Sequence, residues 1–138
     1  MSATGDQHGF TLLEMLVVLA IAALIAGIGF PRLQSQIAAQ EWRTGVAAVT
    51  ALLRTARAKA LRSGQVARVA VAADGTAVRL DDGAALVLPR AVSVAADQPL
   101  AFFGDGSASG GEVAVTGSGR MARIAVAPAT GLVTARTS

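Results

Sequence analysis

At 138 residues the chain has room for one domain. With 53% hydrophobic and only 15% charged residues it is too apolar to be disordered, and too apolar for an ordinary soluble domain throughout. It has no Cys, which excludes disulfides, thiolate metal sites and thiol nucleophiles together. The net charge of +3 rests on eleven Arg and one Lys scattered from Arg32 to Arg136, with no basic run that would signal a nucleic-acid tail.

The apolar excess lies at the amino end. From Phe10 to Phe30 the chain reads FTLLEMLVVLAIAALIAGIGF, with Glu14 as its single charge. As a helix this run is roughly 31 Å long, close to the ~30 Å hydrocarbon core of a bilayer. A secretory signal peptide has a shorter apolar region, bases before it and a small-residue cleavage site after it. Here nothing basic precedes the run, and it continues through Gly29-Phe30-Pro31 into a helical pattern. It is therefore predicted to be a retained membrane helix over residues 10–31.

Glu14 is costly in that position, by about 2.5–3.5 kcal/mol on insertion scales, and intramembrane charges are rarely left unpaired. The polar segment MSATGDQHG ends in Gly9, directly before Phe10. Cleavage between them would create an ammonium group four residues from Glu14. That ammonium could pair with the carboxylate of a neighbouring copy in a helical bundle.

The segment GFTLLEMLVVLAIAALIAGIGFP closely resembles the signal of the type IV pilins and the type II secretion pseudopilins. The resemblance implies a leader over residues 1–9, cut by a prepilin peptidase after Gly9, and N-methylation of Phe10. It further implies that Glu14 sets register in assembly and that Pro31 bends the helix. The leader departs from the family pattern in carrying Asp6 and His8 but no Lys or Arg. Counting Arg32, Arg43, Arg54 and Arg57 after the span would place the carboxyl side in the cytoplasm, whereas the resemblance implies the periplasm.

From Leu33 to about residue 62 the pattern is helical. Trp42, Val46, Val49, Leu53, Ala56 and Ala60 draw one stripe, with Arg43, Arg54, Arg57 and Arg62 mostly off it. Trp42 is expected in the core and Ser63-Gly64 at the carboxyl cap. Beyond Gly64 the period becomes two. The pairs Val69/Val71, Val78/Leu80, Leu86/Leu88 and Val92/Val94 read as half-buried strands, with hairpin signals at Asp74-Gly75 and Asp82-Gly83. Further strands are predicted around 112–116, 121–127 and 132–136. The expected fold is α+β and pilin-like, a long amino-terminal helix packed on an antiparallel β-sheet or small β-sandwich. Residues 32–138 are long enough for their own core.

The stretch FFGDGSASGGEVAV followed by IAVAPATGLV resembles the carboxyl-terminal part of the H-type minor pseudopilins of type II secretion (general secretion pathway protein H), which share a domain with FimT/FimU-like minor pilins. Phe102 or Phe103, Gly106, Gly110-Gly111 and Thr130-Gly131 carry that resemblance, while Leu132 stands where a basic residue often follows.

Little in the chain suggests chemistry. Without the leader, and so without His8, no His, Cys or Tyr is left, and Lys59 is the single Lys. Asp81-Asp82 reads as a turn rather than an acid/base dyad. Asp105 with Glu112 falls short of the roughly six oxygen ligands a Ca²⁺ site needs. No catalysis, metal or cofactor is expected. The resemblance implies a structural subunit near the tip of a periplasmic pseudopilus, held in the inner membrane before assembly. Its implied partners are the I-, J- and K-type minor pseudopilins and the major G-type subunit. The alternative is a FimT-like minor pilin that binds DNA through Arg120, Arg123 and Arg136.

Overall fold

The structure is a computed structural model that describes residues 11–137, with the backbone alone for 28–33. Helix α1 runs from Leu12 to Ser63. The chain divides into two compact units, residues 1–35 and residues 36–138. In the second unit, burial follows the predicted stripe: Trp42, Val49, Leu53, Ala56 and Ala60 are buried and Val46 is partly so. α1 ends as expected at Gly64, whose φ of 67° is left-handed and whose N–H donates to the Ala60 carbonyl at 2.9 Å.

Eight strands follow: β1 (Ala67–Val71), β2 (Ala77–Leu80), β3 (Ala85–Val87), β4 (Val92–Ala96), β5 (Leu100–Phe102), β6 (Gly111–Gly117), β7 (Arg120–Val126) and β8 (Val133–Thr137). They form two antiparallel four-stranded sheets, ordered β3-β2-β1-β5 and β4-β6-β7-β8. The period-two pattern explains the packing, because inward residues such as Val69, Val94, Val115 and Ile124 alternate with exposed or half-buried neighbours. These faces and the α1 stripe close a single hydrophobic cluster centred on Leu53, Leu100, Phe102 and Ile124. At about 1.5–3 kcal/mol for each large side chain removed from water, this cluster is the main source of stability.

The hairpins form where Asp-Gly pairs predicted them. Asp74 and Asp82 each accept a hydrogen bond from the backbone N–H two residues on, at 3.1 and 3.0 Å. The β6–β7 turn uses Ser118 (φ 53°) and Gly119 (φ 70°), the two positive values that a two-residue hairpin turn requires. β5 was not expected from the sequence. It is short, yet its Phe102 is fully buried.

Candidate functional site

The amino-terminal unit begins with a helix cap. The Thr11 carbonyl accepts from the Met15 N–H at 3.2 Å, and its hydroxyl accepts from the Glu14 N–H at 3.2 Å. Thr11-Leu12-Leu13-Glu14 is thus one half of a capping box, with Glu14 in the first turn where the helix dipole favours an anion. Sequence reasoning assigned Glu14 a pairing role and missed this local one, although the Thr-x-x-Glu spacing signals it.

Beyond the cap the helix surface is apolar and open. Leu12, Leu13, Leu19, Leu24 and Ile25 are each 66–80% exposed, and Leu16, Val17, Val18 and Ile21 each 50–58%. Contiguous apolar surface of this kind is covered by a bilayer or by other protein in any stable state. Among the described residues, no helix is long and apolar enough to cross a membrane; the expected span over residues 10–31 lies partly outside them. Side chains in this run are described only for residues 11–27, so Phe10, Phe30 and Pro31 fall outside. Gly9 and the Gly9–Phe10 bond also lie outside the described residues. Pro31 lies within the helical segment and has no N–H to offer the Gly27 carbonyl.

In the second unit the polar residues are used structurally. Asp81 and Asp82 occupy a turn, as expected, but both carboxylates converge on Lys59, at 3.7 and 2.9 Å from its Nζ. Asp81 also accepts from the Arg68 N–H at 3.0 Å. The hydrogen bond to Asp82 raises the Lys59 pKa above its ordinary value, and the same bond lowers that of Asp82. Asp105 accepts from the Ser107 hydroxyl at 2.6 Å and the Ser107 N–H at 2.9 Å, which together hold its carboxyl below the usual range. Asp74 is lowered mainly by the Thr76 N–H. Among the described residues, no group of three or more acidic or His side chains is placed to hold a metal ion.

These shifts set a pH dependence. Asp74, Asp82 and Asp105 have folded-state pKa values below their unfolded ones, so each stabilises the fold above about pH 4, and that contribution is lost as pH falls through the folded value. Lys59 is raised, so its contribution holds below the unfolded value of about 10.4 and is lost as pH rises through the folded one. Circular-dichroism melts of the chain in detergent should show a plateau from about pH 5 to 9 and a decline below about pH 4. A melting temperature unchanged down to about pH 2 would contradict these contacts.

The loops of the family-like tail are interlocked. Phe102 is the buried aromatic, while Phe103 is 37% exposed. The Ala108 N–H donates to the Pro128 carbonyl at 2.8 Å, and Arg57 Nε donates to the Thr130 carbonyl at 3.1 Å. Gly131 has a φ of 60°, and a Cβ there would stand 2.7 Å from the Gly106 carbonyl oxygen, whereas Gly106 is set by its own φ of 91°. This stretch is therefore a structural seam between helix and loops.

The three arginines of the DNA-binding alternative do not gather in one place. Arg120 lies over the Trp42 ring, 5.9 Å from its centre. Arg123 and Arg136 are directly opposed across β7 and β8, and Arg123 pairs with Glu112 at 3.7 Å. Alternation along β7 sets Arg120 on the face opposite Arg123.

Residues 5–30 match the family model of the prokaryotic N-terminal methylation motif. No curated protein matches the chain in sequence. Among solved structures it is similar to the minor pseudopilin EpsH of the type 2 secretion system of Vibrio cholerae, at 14% identity and a TM-score of 0.56, over 71% of this chain and 96% of that one. It is similar to the type IV minor pilin FimU of Pseudomonas aeruginosa at 14% identity and a TM-score of 0.59, over 70% of this chain and 89% of that one. A second crystal form of FimU gives 0.54 at the same identity, over 68% and 91%. Likeness at this identity is a likeness of fold: an amino-terminal helix on antiparallel sheets. The chain thus carries the prokaryotic N-terminal methylation motif at its amino end and, over most of its length, a pilin-like α+β fold similar to that of EpsH and FimU.

Proposed function

We infer that this chain is a structural subunit, a minor pseudopilin of the H type that works in type II secretion. The observation that carries the reading is the open apolar helix beneath a methylation motif, joined to a fold like that of EpsH. Residues 1–9 act as a leader removed by prepilin peptidase, and Phe10 becomes the methylated amino terminus. The helix then holds the subunit in the inner membrane with the second unit in the periplasm. On assembly with other pilin-like subunits, the apolar face moves from lipid to neighbouring helices. Glu14 meets a neighbour's amino terminus there and fixes register more than it adds stability. Pro31 bends the helix.

Processing needs a small residue before the cut. Gly9→Leu should therefore abolish cleavage, read as retention of the leader by mass spectrometry. Normal processing of that variant would contradict the assignment of Gly9. The reading itself is tested by comparing the culture medium of a strain lacking the gene with that of a complemented strain. Loss of several exoproteins, with their accumulation in the periplasm, is the expected result.

The likeness to FimU supports a second reading, a minor pilin of a type IV pilus. An unchanged set of secreted proteins together with lost pili would select it. Its DNA-binding version is disfavoured by the division of Arg120 from Arg123 and Arg136 between two faces.

A further inference from the structure

Four strands stand at the edges of the two sheets, and two of these edges are already covered. The outward N–H of Val94 on β4 donates to the Gly75 carbonyl at 2.9 Å. On β5, Ala101 accepts from the Ser109 N–H at 2.8 Å and donates to its hydroxyl at 3.0 Å. β3 is open but only three residues long. β8 is five residues long and is bonded on one side only, to β7. Native proteins usually cover, shorten or charge an edge of this kind, because it is a template for another strand.

The register shows which groups of β8 are free. The Ala127 N–H donates to the Leu132 carbonyl at 3.0 Å, which makes that opposed pair a hydrogen-bonded one. The bonded pairs therefore recur at Thr134 and Arg136, and the N–H and C=O groups of Val133, Ala135 and Thr137 face outward. Beside this edge lies a groove of about 530 Å³ between β8 and the second half of α1, lined by residues that include Arg43, Val46, Thr50, Arg54, Ala135 and Thr137. The Thr50 hydroxyl is tied to the Val46 carbonyl at 2.7 Å, so it asks nothing of an occupant. Among the described residues, Arg43 and Arg54 make no ion pair, and no carboxylate lines the groove. Arg123 and Arg136 flank the same edge on its other face.

The geometry points to β8 as a docking edge that accepts an extended, acidic segment of another protein as a fifth strand of its sheet. The segment's main chain pairs with Val133, Ala135 and Thr137. Alternate apolar side chains enter the groove, and carboxylates at either end of the apolar stretch meet Arg43 and Arg54. Eleven residues of helix separate those arginines by roughly 16 Å, and two Glu six residues apart on one face of a strand stand roughly 20 Å apart, a difference that the long side chains take up. Nucleic acid suits the site poorly, because the floor is apolar and the two cations stand far apart. The inference does not depend on which machine the chain serves.

The test uses the full chain in detergent and fluorescein-labelled peptides, read by anisotropy. The probe is Glu-Thr-Val-Thr-Val-Thr-Glu, and the comparison peptide has Lys in place of both Glu. The acidic peptide should bind at least about tenfold more tightly, a difference of about 1.4 kcal/mol. Ala135→Pro removes an outward N–H without touching a bond to β7, and it should weaken binding by about tenfold or more at an unchanged melting temperature. Should that variant fail to fold, the double variant Arg43→Glu, Arg54→Glu decides, since it should reverse the preference between the peptides. Equal binding of the two peptides, no binding of the acidic one, or an unaltered preference in the double variant would overturn the proposal. Binding of duplex DNA in place of either peptide would overturn it in favour of a nucleic-acid surface.

Discussion

Trp42→Ala is expected to destabilise the second unit by about 3 kcal/mol or more, the usual range for removing a buried indole. Trp42 is 5% exposed and begins the buried stripe of α1. Its Nε1 donates to the Val115 carbonyl at 3.3 Å, and the Arg120 guanidinium covers its ring. Gly117 makes room for it, since a Cβ there would come within 3.1 Å of the indole. Ala leaves a void that the two β6 residues cannot close without breaking their register with β7. For a domain near 100 residues, that loss lowers the melting temperature by about 12 °C or more. Trp42→Phe keeps a ring and gives up the N–H, so it should fall between the two. A melt of Trp42→Ala that overlays the parent would contradict the burial described here.

Glu14→Ala is expected to reach the membrane at the parent level and to be nearly absent from sheared filaments. In the proposed assembly Glu14 is one partner of a desolvated ion pair, and removing it leaves the other charge uncompensated, at about 3 kcal/mol or more. That corresponds to a loss on the order of a hundredfold in assembly. The variant keeps the backbone N–H that donates to Thr11 and loses only the side chain that a capping box uses. Glu14→Gln separates the two roles, since Gln serves a capping box as Glu does but carries no charge. Glu14→Gln should assemble as poorly as Glu14→Ala. Full recovery of filaments with Gln would show that the cap, and not the charge, is what assembly requires.

The sequence made local order readable and long-range order much less so. The stripe from Trp42 to Ala60 could be read because a helix repeats every 3.6 residues, and its burial follows that period. The other strands of both sheets could be read from alternation, and the β1–β2 and β2–β3 turns from Asp-Gly. β5 escaped because three residues between Pro99 and Gly104 hold too little alternation to register a period. The meeting of Lys59 with Asp81 and Asp82 joins a helix to a distant hairpin, which no spacing along the chain encodes. Strand order is equally silent in the sequence, so the free edge of β8 emerges only from the paired sheet. The motif around Gly9, Phe10 and Glu14 is legible for a different reason. It is a short contiguous signal, and it needs no fold to be seen.

The measurement that bears most directly on this account is the intact mass of the chain recovered from the membranes of cells that contain a prepilin peptidase. The account predicts a chain that begins at Phe10, lacks residues 1–9 and carries one added methyl group. A mass equal to that of all 138 residues, in cells that process another pilin normally, would contradict it.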